Sequence, residues 1–191
     1  MTRDEGVAFG KNRADTYSIQ IDEILKIVDR TIDIPGVIIE AGSYKCGVSI
    51  CMAAANPLKS VFAFDLFGTE GGLPYGEGVG YETFAQVDLD EVTQATAQFP
   101  NLTLVVGKHE DKIPAWAETP TPISLIYLDS DHYSSHKVVL DTLWPLLNCG
   151  GALIFHDFGF TAVQQAVKEC LDPKNYIQQV SMGMGFLRKI N

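Results

Sequence analysis

The sequence is poor in cysteine and in positive charge, and it has no long apolar run. Its four cysteines are Cys46, Cys51, Cys149 and Cys170. No two form a C-x-x-C pair, and their spacing fits neither a zinc site nor a disulfide framework. They read as reduced thiols, which points to the cytoplasm. Cys46, close to an expected ligand loop, reads as a packing residue before a reactive one. Lys and Arg number 14 against 24 Asp and Glu, a net charge of −10, with no basic patch in compensation. That balance argues against nucleic acid or an anionic membrane as the main partner. No stretch approaches the roughly 20 apolar residues that span a bilayer. The opening residues, "MTRDEGVAFGKNRAD", lack the apolar centre of a secretory signal. The remaining composition, 46% hydrophobic and 20% charged over 191 residues, is that of a soluble globular protein. It suits one domain over residues 1–191 with a real core.

What is present is alternation. "GVIIEAG", "SVFAFDLF", "LTLVVG", "ISLIYLD" and "ALIFHD" are apolar throughout, as expected of strands in a parallel sheet covered on both faces. Between them lie helical segments: "GVSICMAAAN", "DLDEVTQATAQF", "SSHKVVLDTLWPLL" and "TAVQQAVKECL". In the third, Val139, Leu143 and Leu146 recur at helical spacing. A leading helix, "YSIQIDEILKIVDR", puts Ile21, Leu25 and Val28 on one stripe. Near the end, "YIQQVSM" and "GFLRKI" meet through Gly183 and Gly185 with no room for a helix, which makes a hairpin. The expected fold is α/β: a doubly wound, mostly parallel, Rossmann-like sheet with a C-terminal antiparallel hairpin. Leu66 to Gly80 carries six glycines and reads either as a lid beside a site or as a plain surface loop.

Two strands end in chemistry. "LIYLDSDHYSSHK" finishes in Asp129, Asp131 and His132 with His136 behind, and "ALIFHDFG" finishes in His156 and Asp157. Ligands in open α/β sheets bind outside such carboxyl ends. The first strand ends "IIEAGSYKCGVS", with Glu40, Gly42 and Gly47. Tyr44 occupies the place where a dinucleotide fingerprint needs a glycine, and Val48 follows Gly47 where a Walker loop needs Lys. Asp65, ending the second strand, is placed to accept from ribose hydroxyls. An acidic strand end and a loose glycine loop without phosphate machinery point to S-adenosylmethionine.

From about Val37 to Ile190 the chain resembles class I S-adenosylmethionine-dependent methyltransferases, and most of all the macrocin O-methyltransferase-like group. The resemblance lies in "EAGSYKCGVS", "FDLFGTEGGLP", "VVGKHEDKIP", "LDSDHYSSHKVVLDTLWPLLNCGG" and "FHDFG". It implies that Glu40, Gly42 and Ser43 face the methionine part of the cofactor and that Asp65 holds the ribose. Leu66 would lie against the adenine, flanked by His109 and Glu110, with Gly47 and Asp129 completing the cofactor-binding set. It also implies a divalent metal, Mg²⁺ or Mn²⁺, on Asp129, His156 and Asp157. His156 departs from the group, where a carboxylate is more usual, and an imidazole shifts the preference toward Mn²⁺, Fe²⁺ or Zn²⁺. Neighbours on a regular strand point to opposite faces, so His156 and Asp157 can share an ion only where the strand has already turned.

The reaction so implied is methyl transfer to a hydroxyl of a small molecule or sugar, with Asp129, His156 and His132 as catalytic candidates. A metal-independent enzyme with His156 or His132 as base is an alternative. So is a silent cofactor-binding module; an NAD-dependent oxidoreductase is disfavoured by Tyr44. Plainer roles exist: Glu40 pairing locally, Asp65 in a turn, His109 and Glu110 on a solvated loop, Asp131 capping a helix, His136 on its surface. The sequence admits a homodimer without specifying one.

Overall fold

A computed structural model describes residues 1–69, 87–130 and 132–191. The lid reading of Leu66–Gly80, from Glu70 on, and the capping reading of Asp131 fall outside them. Helices α1 (Arg3–Lys11) and α2 (Ser18–Arg30) precede the sheet. Then follow β1 (Val37–Ala41), α3 (Gly47–Ala55), β2 (Val61–Asp65), α4 (Leu89–Thr96), β3 (Leu102–Val106), α5 (His109–Ala117) and β4 (Ile123–Leu128). The chain continues through α6 (Tyr133–Leu143), β5 (Leu147–Phe155), α7 (Thr161–Cys170), a short 3₁₀ turn, β6 (Tyr176–Ser181) and β7 (Met184–Lys189). The seven strands form one sheet in the order β3-β2-β1-β4-β5-β7-β6. β1 to β5 pair in parallel, and β7 runs antiparallel to both β5 and β6. This is the expected doubly wound sheet with its closing hairpin.

Alternate strand residues feed two cores. Ile38, Leu125, Tyr127 and Ile154 face the side of α2 and α3. Ile39, Ile126, Leu128, Leu153 and Phe155 face the side of α5, α6 and α7. Both faces are thus dry, which is why the strands read as unbroken apolar runs. The hairpin turn is two residues long, since Ser181 pairs with Met184. Met182 and Gly183 between them both have positive φ, 54° and 81°, as a twisted hairpin of this length requires.

Three local expectations need correction. α1 was not expected from composition. It packs through glycine: a Cβ on Gly10 would lie 2.5 Å from Cys51 Sγ and 2.6 Å from the Gly47 carbonyl. α5 makes a helix of the stretch that reads as solvated loop at His109 and Glu110. Pro114 sits inside it, the residue that masks a helical pattern. α6 ends at Leu143, short of Leu146: Trp144 still has helical angles and donates to the Leu140 carbonyl, but Pro145 has no amide with which to continue the ladder.

Candidate active site at the carboxyl ends of four strands

The order of the strands reverses between β1 and β4, which run parallel, so the crevice of the fold opens above their carboxyl ends. The two exits nearly touch. The Asp129 amide donates to the Ala41 carbonyl at 2.8 Å. Gly42, at φ +89°, lies so close that a Cβ would meet the Asp129 carbonyl oxygen at 1.9 Å. Only glycine fits there. Beyond it, Tyr44 and Cys46 take left-handed conformations, φ 48° and 59°, so Tyr44 adopts the backbone form usually left to glycine.

Asp65 ties this loop down. One carboxylate oxygen accepts from the Ser43 and Tyr44 amides, both at 2.8 Å, and the other from the Phe67 amide at 2.9 Å. Asp65 therefore holds the loop itself, and a ribose would meet a carboxylate already oriented by three donors. Glu40 is buried and takes a hydrogen bond from the Ser49 hydroxyl. Burial, augmented by the charge of Asp129, pushes its pKa up to about 8. The Ser43 hydroxyl, also buried, has no well-formed hydrogen bond, although it sits near enough to Glu40 to favour the ionised carboxyl. Gly47 opens α3 against the Ala14 backbone, 2.3 Å from where its Cβ would be, so helix packing is reason enough for a glycine. Leu66 is half-buried directly after Asp65.

The second half of the site lies at the ends of β4 and β5. β5 stops at Phe155, and the Phe158 amide turns back to the His156 carbonyl at 2.9 Å. The strand has turned, and His156 and Asp157 point to one place. His156 Nδ1 lies 3.2 Å from Asp129 Oδ1 and 3.1 Å from Asp157 Oδ2. One donor atom from each of the three side chains falls within 4.8 Å of the others. Two carboxylates and an imidazole so grouped fit a divalent cation, and the nitrogen favours Mn²⁺, Fe²⁺ or Zn²⁺ over Mg²⁺. Burial opposes a charge on His156, but hydrogen bonds to Asp129 and Asp157, with their charges, outweigh it and push the pKa up to about 10. An imidazole held in its charged form is a poor proton acceptor.

The structure does not bring every candidate here. His132 stands at the N-cap position of α6, and among the described residues the charged groups acting on it include Glu110 and His109; it lies outside the Asp129–His156–Asp157 group. Burial lowers its pKa. His109 opens α5 and its Nε2 lies 3.2 Å from the Phe64 carbonyl, while Glu110 is exposed. His136 is buried rather than on the surface, stacked on Phe155 with Nδ1 on the His132 carbonyl at 2.7 Å. It belongs to the stripe of Val139, Leu140 and Leu143. Two partners of the site escape sequence reasoning. Tyr127, fully buried, donates from its phenol to Asp129 Oδ2 at 3.0 Å. Gln20 reaches His156 Nε2 at 3.4 Å. The available signal for Gln20 is its place at i, i+4, i+8 with Ile24 and Val28, a polar residue on an apolar stripe.

The macrocin-O-methyltransferase (TylF) family pattern matches residues 7–182. The chain belongs to that family. It is an S-adenosylmethionine-dependent O-methyltransferase, with S-adenosylmethionine as the methyl donor. Solved structures share the fold. The O-methyltransferase NovP superposes with a TM-score of 0.78 at 19% identity, over 94% of this chain and 83% of its own. The calicheamicin methyltransferase CalS11 gives 0.70 at 21%, over 92% and 80%. An rRNA methylase from Streptococcus thermophilus gives 0.60 at 15%, over 93% and 99%. At such identities the likeness is one of fold, and the family rests on the matched residues. No curated relative matches the chain. No helix among the described residues of this methyltransferase is long and apolar enough to cross a membrane.

Proposed function

We propose that this methyltransferase, as one domain over residues 1–191, methylates a hydroxyl of a small molecule or sugar with the help of a divalent metal. The observation that carries the proposal is the convergence of Asp129, His156 and Asp157 on one point at the switch of the sheet. That point lies beside the loop held by Asp65, where the cofactor is expected. CalS11 is described as a TDP-rhamnose 3′-O-methyltransferase, so a sugar hydroxyl suits the shared architecture.

Methyl transfer is an in-line displacement. The acceptor oxygen bonds the methyl carbon, the carbon–sulfur bond breaks with its electrons going to the neutral thioether, and the hydroxyl proton must leave. Glu40, Gly42 and Ser43 at the end of β1 would hold the methionine part, and Asp65 the ribose, with Leu66, His109 and Glu110 around the adenine. Asp129, His156 and Asp157 would hold the metal, which when bound lowers the pKa of an attached hydroxyl and fixes its position. Tyr127 orients Asp129 by donating to Oδ2, the oxygen that does not face His156, and burial, with the charge of Asp129, raises the phenol's pKa so that it stays a donor. Orientation of the acceptor against the methyl supplies much of the remaining rate.

A second reading has its own observation. A proton on His156 Nδ1 satisfies both carboxylates at 3.1 and 3.2 Å without any ion, which makes a metal-free acid group of the same three residues. Chelation separates the two. Turnover with S-adenosylmethionine and a panel of sugar and phenolic hydroxyls should vanish with a chelator and return with Mn²⁺ or Mg²⁺. Activity that survives chelation overturns the metal reading. The unpaired state of all four cysteines supports a cytoplasmic enzyme, and the charge of −10 supports a partner other than nucleic acid or membrane. A homodimer remains part of the proposal, to be read from sedimentation.

A further inference from the structure

We infer that Gln20 is a positioning residue that sets the tautomer of His156, keeping a proton on Nε2 and turning Nδ1 toward Asp129 and Asp157. The inference rests on the metal reading only for what Nδ1 then binds. Gln20 is 8% exposed, in the first turn of α2, so its amide needs partners. Ordinarily the two ends of a glutamine amide are hard to tell apart. Here the neighbours decide. The Met182 carbonyl can only accept, so the amide nitrogen faces it, at 3.0 Å. The Tyr17 backbone N–H can only donate, so Oε1 faces it, at 3.3 Å. The same Oε1 lies 3.4 Å from His156 Nε2. An acceptor facing a ring nitrogen requires that nitrogen to carry hydrogen.

The consequence is chemical. A neutral imidazole has one N–H, and with Nε2 protonated the lone pair falls on Nδ1. That nitrogen lies between two carboxylate oxygens, where a bare lone pair is repelled unless a proton or a cation sits among the three. Either occupant engages Nδ1, never Nε2. Histidines that bind metal commonly donate their other N–H to an oxygen outside the coordination sphere, which fixes the ring and raises its basicity. Gln20 supplies that oxygen from a helix with no other part in the site. Because its nitrogen also holds Met182 in the β6–β7 turn, one side chain connects α2, the hairpin and the imidazole.

Ring nitrogen spectroscopy tests this without turnover. In ¹⁵N-labelled, metal-free protein, where the charged ring carries both protons, a long-range proton–nitrogen spectrum should show a slowly exchanging proton on His156 Nε2 that becomes fast-exchanging in Gln20→Leu. Zn²⁺ should then bind through Nδ1 with the Nε2 proton retained, and calorimetry should find Zn²⁺ affinity roughly 10–100-fold weaker in Gln20→Leu. Gln20→Glu keeps an acceptor for Nε2 and loses the donor to Met182, so it should bind Zn²⁺ much nearer the wild-type level. A residue that only caps α2 would lower the melting temperature in Gln20→Leu but not in Gln20→Glu, which keeps an acceptor for the Tyr17 amide, and would leave the ring spectrum and Zn²⁺ affinity alone. That outcome, or a bare Nε2 in the wild type, overturns the inference. Failure of wild-type protein to bind Zn²⁺ sinks the metal reading instead, and the metal-free spectrum still decides the role of Gln20.

Discussion

The carboxylates at the two halves of the crevice are held in opposite ways. Above β1 and β2 the chain satisfies its own acids: Asp65 takes three backbone donors and Glu40 is buried against Ser49. Above β4 and β5, Asp129 and Asp157 share one imidazole nitrogen and remain about a quarter to a third exposed, at 22% and 36%. The first half is a preformed cradle whose shape depends on the acids. The second is a pair of like charges around one imidazole, where a proton on His156 or a cation in its place would relieve the repulsion. Cofactor binding should therefore be sensitive to the first half, and turnover to the second.

The largest effect should come from Asp129→Asn. Turnover should fall by about a hundredfold or more, the range in which positioned proton-transfer groups act, while affinity for S-adenosylmethionine changes little. Equal losses in both would mean that the two halves are not separable. Next is Gly42→Ala at the seam between them. The new Cβ has no space against the Asp129 carbonyl, and the φ of +89° adds strain. A loss of about 2–4 kcal/mol is expected, a melting point roughly 5–15 °C lower; an unchanged melt would show that the seam opens freely.

Asp65→Ala tests the cradle. Hydrogen bonds to a charged group contribute about 1.5–3 kcal/mol, so cofactor affinity should weaken at least tenfold, with some loss of stability because the loop is released. An unchanged dissociation constant would move the cofactor elsewhere. The last test, read in pH rather than in activity, concerns Glu40. Its folded pKa, about 8, exceeds the ordinary 4.5, so the folded state holds the proton more tightly. The resulting stabilisation is complete below 4.5 and is lost as pH rises through about 8. Melting temperature should carry that decline, and Glu40→Gln should flatten it; parallel curves would show that Glu40 titrates normally.

The sheet was legible because both its faces are covered, which writes each parallel strand as an apolar run such as "LIYL". Asp129 and Asp157 were legible for the same reason, as acids that end those runs. Less legible was what depends on close approach or on a single side chain. α1 hides behind glycines that pack on α3, and α5 behind Pro114. His136 looks like a surface histidine until its spacing to Val139 and Leu143 is weighed. Whether His156 and Asp157 could meet depended on a turn after Phe155, which alternation along a strand cannot show. Gln20 acts across the molecule, through partners at Tyr17, His156 and Met182, and no local pattern names those partners.

The strand order has a bearing on synthesis. β5 carries His156 and Asp157 at its end, yet its second neighbour is β7, which is translated after β6. β6 cannot cover that edge, since it lies on the far side of β7. At roughly 5–20 residues per second, the flank of β5 stays open for a few seconds while α7 and β6 leave the ribosome. β7 then slots in with Gly185 opposite Phe155, where the Phe158 ring fills the space a Cβ on Gly185 would need. The flank of β5 that bears His156 and Asp157 is thus among the last parts of the sheet to close.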